Sequence, residues 1–151
     1  MAGTSSLRLT SPAFSDGAAI PSRYACDGAN VSPPLAWSGA PDATAAFALL
    51  VTDPDARGFV HWVATDIPLT ARGLAEDASG SAPAGREGRN DFGRPGWGGP
   101  CPPSGTHRYV FELFALSSPL GLAGVPSAAD ARRAMAGRVL AEARLTGTYR
   151  R

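Results

Sequence analysis

Two histidines and two neighbouring aspartates are the residues of this 151-residue chain best suited to chemistry. His61 and His107 are the only histidines, and Asp53 and Asp55 flank a proline at the end of an apolar run. An imidazole donates or accepts hydrogen bonds near neutral pH, and a neighbouring carboxylate fixes which ring nitrogen carries the proton. These four groups could therefore bind an anion, or act as general acid and base.

A loop rich in glycine and proline precedes the second histidine. The stretch from Gly93 to Leu116 reads G-R-P-G-W-G-G-P-C-P-P-S-G-T-H-R-Y-V-F-E-L-F-A-L. Its first half cannot form a regular helix or strand, because proline lacks a backbone N–H and glycine favours unusual φ values. Its second half, from His107, is rich in aromatic and branched residues and predicts a buried strand. Glycines leave backbone N–H groups free to turn towards an anion, so we expect this loop to form a wall of a binding site.

The remaining pattern predicts mostly strands. Leu7–Ser11 is typical of an edge strand, Phe47–Thr52 of a strand buried on both faces, and Phe59–Asp66 of a second strand. Alternation along the second strand places Phe59, His61 and Val63 on one face, and Val60, Trp62 and Ala64 on the other. Residues 70–92 are predicted to be exposed loop, and Thr146–Tyr149 a last short strand.

One helix is predicted, from Ser127 to Arg144. Ser127 can cap it, Asp130 stands at the capping-box position, and Ala131, Met135 and Val139 recur on one side. Arg138 and Glu142 would then pair on its surface. Strands followed by one late helix indicate a mostly β architecture, and the length of the chain indicates a single domain over residues 1–151.

Composition excludes several classes of function. The net charge is +1, which gives no electrostatic case for nucleic acid. The N-terminus lacks an apolar signal region and no later stretch is long enough to span a membrane, so we expect a soluble, cytoplasmic protein without stable membrane insertion. Cys26 and Cys101 are the only cysteines, and in that compartment they are predicted to be reduced thiols. Near-neutral charge and many small residues are compatible with a homodimer.

The motifs resemble those of the phosphatidylethanolamine-binding protein family, and most closely its bacterial Raf kinase inhibitor-like branch of YbhB/YbcL type. They run in family order over nearly the whole chain. They are C-D-G-A-N-V-S-P-P-L from Cys26, D-P-D-A from Asp53, H-W-V from His61, and G-x-N-x-x-G-x-x-G from Gly88 running into G-G-P-C-P-P and G-T-H-R-Y-V-F. Two positions depart from the pattern: Arg57 stands where proline is common, and Trp97 stands where an aromatic hydroxyl is frequent.

The resemblance implies a β-sandwich of two antiparallel sheets with Greek-key connections and a C-terminal helix. It also implies an anion pocket at one end, lined by Asp53, Asp55, His61, Gly99, Pro100, His107 and Tyr109. The expected function is non-catalytic binding of phosphate or a phospholipid head group, without a cofactor. The ligand would be a small phosphorylated or zwitterionic molecule, and its binding could modulate a protein partner.

Two other interpretations of the same residues stay open. A hydrolase or phosphoryl-transfer enzyme could use His61 or His107 as a base oriented by Asp53, with Cys101 as the one tempting nucleophile. The sequence has no G-x-S-x-G elbow and no P-loop to support this. The two histidines with the two aspartates could instead ligate zinc. A hydrogen-bonded pocket explains the same residues without a metal.

Overall fold

The apolar runs pair into two antiparallel sheets in the computed structural model, which describes residues 6–151. The smaller sheet has the order β1-β2-β5, formed by β1 (Arg8–Thr10), β2 (Leu35–Ser38) and β5 (Gly73–Leu74). The larger sheet has the order β6-β4-β3-β7-β8, formed by β3 (Ala46–Asp53), β4 (Phe59–Pro68), β6 (Arg86–Glu87), β7 (Thr106–Leu116) and β8 (Val139–Arg150). The mostly β fold class is thereby confirmed.

The connections bring three strand ends together. Within the larger sheet β7 returns to lie beside β3, so that four strands have the spatial order β7-β3-β4-β6 of a Greek key. Because β3 is antiparallel to both neighbours, its last residue, Asp53, lies beside the first residues of β4 and near those of β7. This edge of the sheet positions the candidate site.

The larger sheet is covered on both faces. Apolar residues on one face form the main core with the smaller sheet, and residues on the other face pack against helix α1 (Ala128–Met135). Along β3, Leu49 and Val51 belong to the main core, whereas Ala48 and Leu50 face the helix side. The prediction of a strand buried on both faces is confirmed.

Helix α1 begins as predicted but ends early. Ser127 caps it: the Ser127 hydroxyl accepts the backbone N–H of Asp130, and the Asp130 carboxylate accepts the backbone N–H of Ser127. The predicted continuation to Arg144 is wrong, because the chain turns at Gly137 (φ +79°) and continues as strand β8. The pair between Arg138 and Glu142 is absent as well: the Arg138 guanidinium donates to the Pro119 carbonyl at 3.1 Å instead.

Residues 70–92 are also more ordered than predicted, because they contain β5, a 3₁₀ turn at Ala82–Ala84, and β6. The edge strand predicted at Leu7–Ser11 is present as β1. The strand predicted at Thr146–Tyr149 is the end of the longer β8. Among residues 6–151, no helix has the length and apolar content needed to cross a membrane.

Candidate functional site

A cavity of about 180 Å³ opens where the end of β3 meets the beginnings of β4 and β7. Four of the predicted site residues line it: Asp53, His61, His107 and Tyr109. The other lining residues are Ala56, Phe59, Phe92, Cys101, Pro102 and Pro103. The sequence therefore identified the polar part of the cavity, and the mostly apolar rim was missed.

His61 reaches the cavity because strand β4 bulges at this residue. In the pairing with β3, Val51 lies opposite Trp62 and Thr52 lies opposite Val60, so His61 has no partner. A bulge shifts the alternation of side chains by one position. The predicted shared face of His61 and Val63 is therefore wrong, because Val63 packs on the helix side while His61 lines the cavity.

The ring of His61 is buried and has a defined tautomer. Its Nδ1–H donates to the carbonyl oxygen of Gly98 at 2.6 Å, and the residue is 3% exposed. Burial lowers the pKa of His61, since the charged ring is poorly solvated there; the Gly98 carbonyl and the charge of Asp53 oppose this shift. His61 is therefore neutral at physiological pH, with a lone pair on Nε2.

His107 is held by the buried carboxylate of Asp53. Its Nδ1–H donates to Oδ2 of Asp53 at 2.6 Å, and the other oxygen of Asp53 accepts the backbone N–H of Asp55 at 2.7 Å. Asp53 thus fixes the ring of His107 from within the fold, being only 2% exposed. The hydrogen bonds of both rings to residues 6–151 are made at Nδ1, and the Nε2 atoms form none.

Tyr109 places an unpaired hydroxyl in the same cavity. The residue is 1% exposed, its ring packs edge-on against His61 with centroids 5.0 Å apart, and no described residue bonds its hydroxyl. Burial, together with the negative charges of Asp53 and Asp55, raises the pKa of Tyr109. The phenol therefore stays protonated and can donate a hydrogen bond to a ligand.

Asp55 lies outside the cavity lining. Its carboxylate accepts hydrogen bonds from the Arg108 guanidinium at 2.9 and 3.1 Å and from the Arg108 backbone at 2.8 Å. These bonds lower the pKa of Asp55 to about 2. The ion pair ties the turn after β3 to strand β7, and so supports the site from its exterior.

Gly99 and Pro100 are also absent from the cavity lining, and the expected free amides are engaged. The N–H of Gly98 donates to the His61 carbonyl at 2.9 Å, and the N–H of Gly99 donates to Oδ1 of Asn30 at 2.8 Å. A Cβ atom at Gly99 would collide with the Tyr24 carbonyl. The glycines here permit close packing of two chain segments, so the amides of Gly98 and Gly99 are not free to meet an anion.

Cys26 and Cys101 form a disulfide, which corrects the prediction of two reduced thiols. The prediction failed because it relied on the expected compartment, whereas the fold brings residues 75 positions apart into bonding distance. With Cys101 oxidised, the thiol nucleophile considered for a hydrolase is absent. In the described part of the chain, no group of three or more His, Cys, Asp or Glu side chains is arranged to hold a metal ion.

Sequence comparison relates this chain to one protein family and to several of its members. Residues 10–150 match the family model described as phosphatidylethanolamine-binding protein. A UPF0098 protein of Methanothermobacter thermautotrophicus is 48% identical over 150 residues, covering 96% of this chain and 99% of that protein. LppC of Mycobacterium tuberculosis, whose name describes a lipoprotein, is 46% identical over 152 residues, covering 95% of this chain and 72% of that protein.

Solved structures agree with the sequence comparison. YbcL of E. coli, described as a member of the mammalian phosphatidylethanolamine-binding protein family, superposes with a TM-score of 0.89 at 34% identity, covering 96% of this chain and 98% of that one. A homologue from Chlamydia trachomatis superposes with a TM-score of 0.90 at 35% identity, covering 98% and 99%. With its fold, its motifs and these matches in agreement, the chain belongs to the phosphatidylethanolamine-binding protein family.

Proposed function

We propose that this protein binds a small phosphate-bearing anion, free or as a phosphorylated head group, in the cavity between His61 and His107, without catalysing a reaction. The observation that carries the proposal is the convergence of three uncommitted polar groups. These are the Nε2 atoms of the two histidines and the hydroxyl of Tyr109. Each of the three atoms lacks a hydrogen-bond partner among residues 6–151 and is not sealed from solvent, so a single ligand in the cavity can bond to all three.

The tautomers define what the cavity recognises. Because each Nδ1–H is already donated, a neutral ring offers only a lone pair at Nε2, and a protonated ring offers a donor there. A monoprotonated phosphate satisfies both kinds of partner, since it carries one P–OH donor and three P–O acceptors. Tyr109 supplies a donor in either state. An ammonium on the same ligand would be favoured by the charge of Asp53.

Calorimetric titration with inorganic phosphate and with phosphoethanolamine tests the proposal. His61→Gln and His107→Gln are expected to weaken both ligands, because each removes one Nε2 partner. Asp55→Asn is the matched control, since Asp55 lies in the same turn but outside the cavity. Wild-type affinity in both histidine variants would remove the cavity from the function.

An alternative enzymatic function has one observation in its favour. The Asp53–His107 pair, with a free Nε2, has the arrangement of an oriented general base. Water would have to be the nucleophile, because the cavity lining contributed by residues 6–151 contains no serine, threonine or free cysteine. Release of phosphate from a phosphomonoester by wild type, with loss of that release in His107→Gln, would favour this alternative over simple binding.

The cytoplasmic location stays a prediction, and the disulfide weighs against it. Structural disulfides persist mainly in oxidising compartments. Rapid alkylation of intact cells followed by mass analysis decides the point. Two blocked thiols on the natural protein would support a cytoplasmic location, and an intact disulfide would support an oxidising one.

A further inference from the structure

We propose that the Cys26–Cys101 disulfide is a thiol-exchange site that latches one wall of the cavity. Cys101, Pro102 and Pro103 line the cavity next to the histidines, and Cys26 belongs to the turn that packs behind them. Whether Cys26 and Cys101 are joined or reduced would then control the shape of the cavity. The effect on ligand affinity rests on the proposed function, whereas the exchange and the movement of the wall do not.

The wall, residues 101–104, is held by few hydrogen bonds besides the disulfide. Before it, the Pro100 carbonyl accepts the N–H of Cys26 at 3.0 Å; after it, Gly105 exchanges two backbone hydrogen bonds with Arg151. Between these points, no hydrogen bond from residues 6–151 reaches Pro102, Pro103 or Ser104. Two prolines make the segment stiff, and Gly105, with φ +76°, lies at its far end. Without the disulfide, the segment between these points is held mainly by the packing of the buried Pro102, and we expect it to move as a unit.

The surroundings of the two sulfur atoms differ in a way that favours exchange. Cys26 is exposed, so its sulfur can be attacked, whereas Cys101 is partly buried. The Arg151 guanidinium lies 3.2 Å from Sγ of Cys101 and 3.9 Å from Sγ of Cys26. A cation beside sulfur stabilises the thiolate and makes it a better leaving group. Asp27 is an acidic group facing this cation, with Oδ1 3.5 Å from the Arg151 guanidinium.

The exchange balances with an external dithiol as the reductant. One thiolate of the dithiol attacks Sγ of Cys26, the Cys26–Cys101 bond breaks, and Cys101 leaves as a thiolate beside Arg151. The second thiolate of the dithiol then attacks its own sulfur in the mixed disulfide and releases Cys26. Two electrons pass to the protein, and the reductant becomes a cyclic disulfide.

The first test measures the rate of reduction by dithiothreitol at pH 7, with quenching by alkylation and mass analysis. Arg151→Gln is expected to slow reduction at least about threefold, because the leaving thiolate loses its cation. Arg150→Gln is the matched control, since it removes the same charge from the neighbouring, exposed position. Equal rates in wild type and Arg151→Gln would overturn the role of Arg151.

The second test follows the wall itself by hydrogen exchange in oxidised wild type, reduced wild type and the Cys26→Ser, Cys101→Ser double variant. Faster exchange is expected in the last two at the amides of residues 26, 105 and 151, which donate the backbone hydrogen bonds on either side of the wall, with strand β3 still protected. Unchanged exchange in the reduced wild type would overturn the latch, even if the double variant fails to fold.

Phosphate titration of the oxidised and reduced wild type completes the experiment. We expect about tenfold weaker binding after reduction, equivalent to about 1.4 kcal/mol. Equal affinity in the two states would overturn control of the ligand by the latch. Absence of phosphate binding in both states would count against the proposed function, and hydrogen exchange would still decide whether the wall moves.

Discussion

His107 donates its Nδ1 hydrogen to the carboxylate of Asp53 at 2.6 Å, although 54 positions separate them in the chain. The contact joins the beginning of β7 to the end of β3, where the Greek-key connection makes these strands neighbours. Asp53 simultaneously caps the short 3₁₀ turn at Pro54–Ala56. One buried side chain therefore fixes both a turn and a site residue.

Asp53→Ala is expected to destabilise the fold strongly. The substitution leaves the partly buried backbone N–H of Asp55 and Nδ1–H of His107 without their shared acceptor, and loss of a hydrogen bond to a charged group costs about 1.5–3 kcal/mol. We expect a loss of about 2–4 kcal/mol in the free energy of unfolding, measured by urea denaturation. Asp55→Ala, which breaks the solvent-exposed ion pair with Arg108 and one hydrogen bond from the exposed Arg108 backbone N–H, should cost less. Equal losses in the two variants would contradict this account.

Tyr109→Phe separates ligand binding from stability. The hydroxyl of Tyr109 has no partner among residues 6–151, so its removal should leave the urea midpoint unchanged or raise it slightly. Phosphate affinity should fall by about 0.5–1.5 kcal/mol, because one donor to the ligand is lost. Tyr149→Phe gives the opposite pattern, because that hydroxyl donates to Asp27 at 2.7 Å outside the cavity. Loss of stability without loss of affinity in Tyr109→Phe would refute the role of the Tyr109 hydroxyl as a donor to the ligand.

Gly99→Ala tests whether the glycine loop serves packing. An added Cβ would overlap the Tyr24 carbonyl and crowd the Asn30 side chain, so we expect destabilisation of more than about 2 kcal/mol. Gly121→Ala is the control, because Gly121 has open space but a positive φ of +63°, and backbone strain alone costs about 1 kcal/mol. Thermal denaturation of both proteins compares the two effects, and similar losses would argue against the overlap.

Strands with strong local patterns could be predicted from the sequence. The run Phe47–Thr52 is apolar at nearly every position, which is typical of a strand covered on both faces. The start of α1 could also be predicted, because Ser127 and Asp130 specify a cap by local hydrogen bonds. The end of α1 was not, because Ala141, Glu142 and Arg144 favour a helix locally, while pairing of β8 with β7 decides their conformation.

The site was predictable by residue type but not by contact. Four polar lining residues could be named from motifs, whereas the bulge at His61 depends on pairing with β3, which alternation within one strand does not report. The local sequence around Gly99 favours an anion-binding role. Its packing role depends on contact with Tyr24, which is distant in sequence and which the local pattern does not report. The disulfide was missed for the same reason, since only the assembled fold places Cys26 beside Cys101.

The pH dependence of stability should carry the signature of His61. Burial lowers its pKa in the folded state, so between that value and the ordinary value of about 6.5 the unfolded chain binds more protons. The contribution of neutral His61 is therefore fully present above about pH 6.5 and is lost as the pH falls below it. Urea denaturation from pH 8 to pH 5 should show a smaller decline in His61→Gln than in wild type. Phosphate should reduce the decline in wild type, because a protonated His61 donates from Nε2 to the bound anion. Identical pH profiles for the two proteins without phosphate would show that the His61 ring is not held neutral by burial.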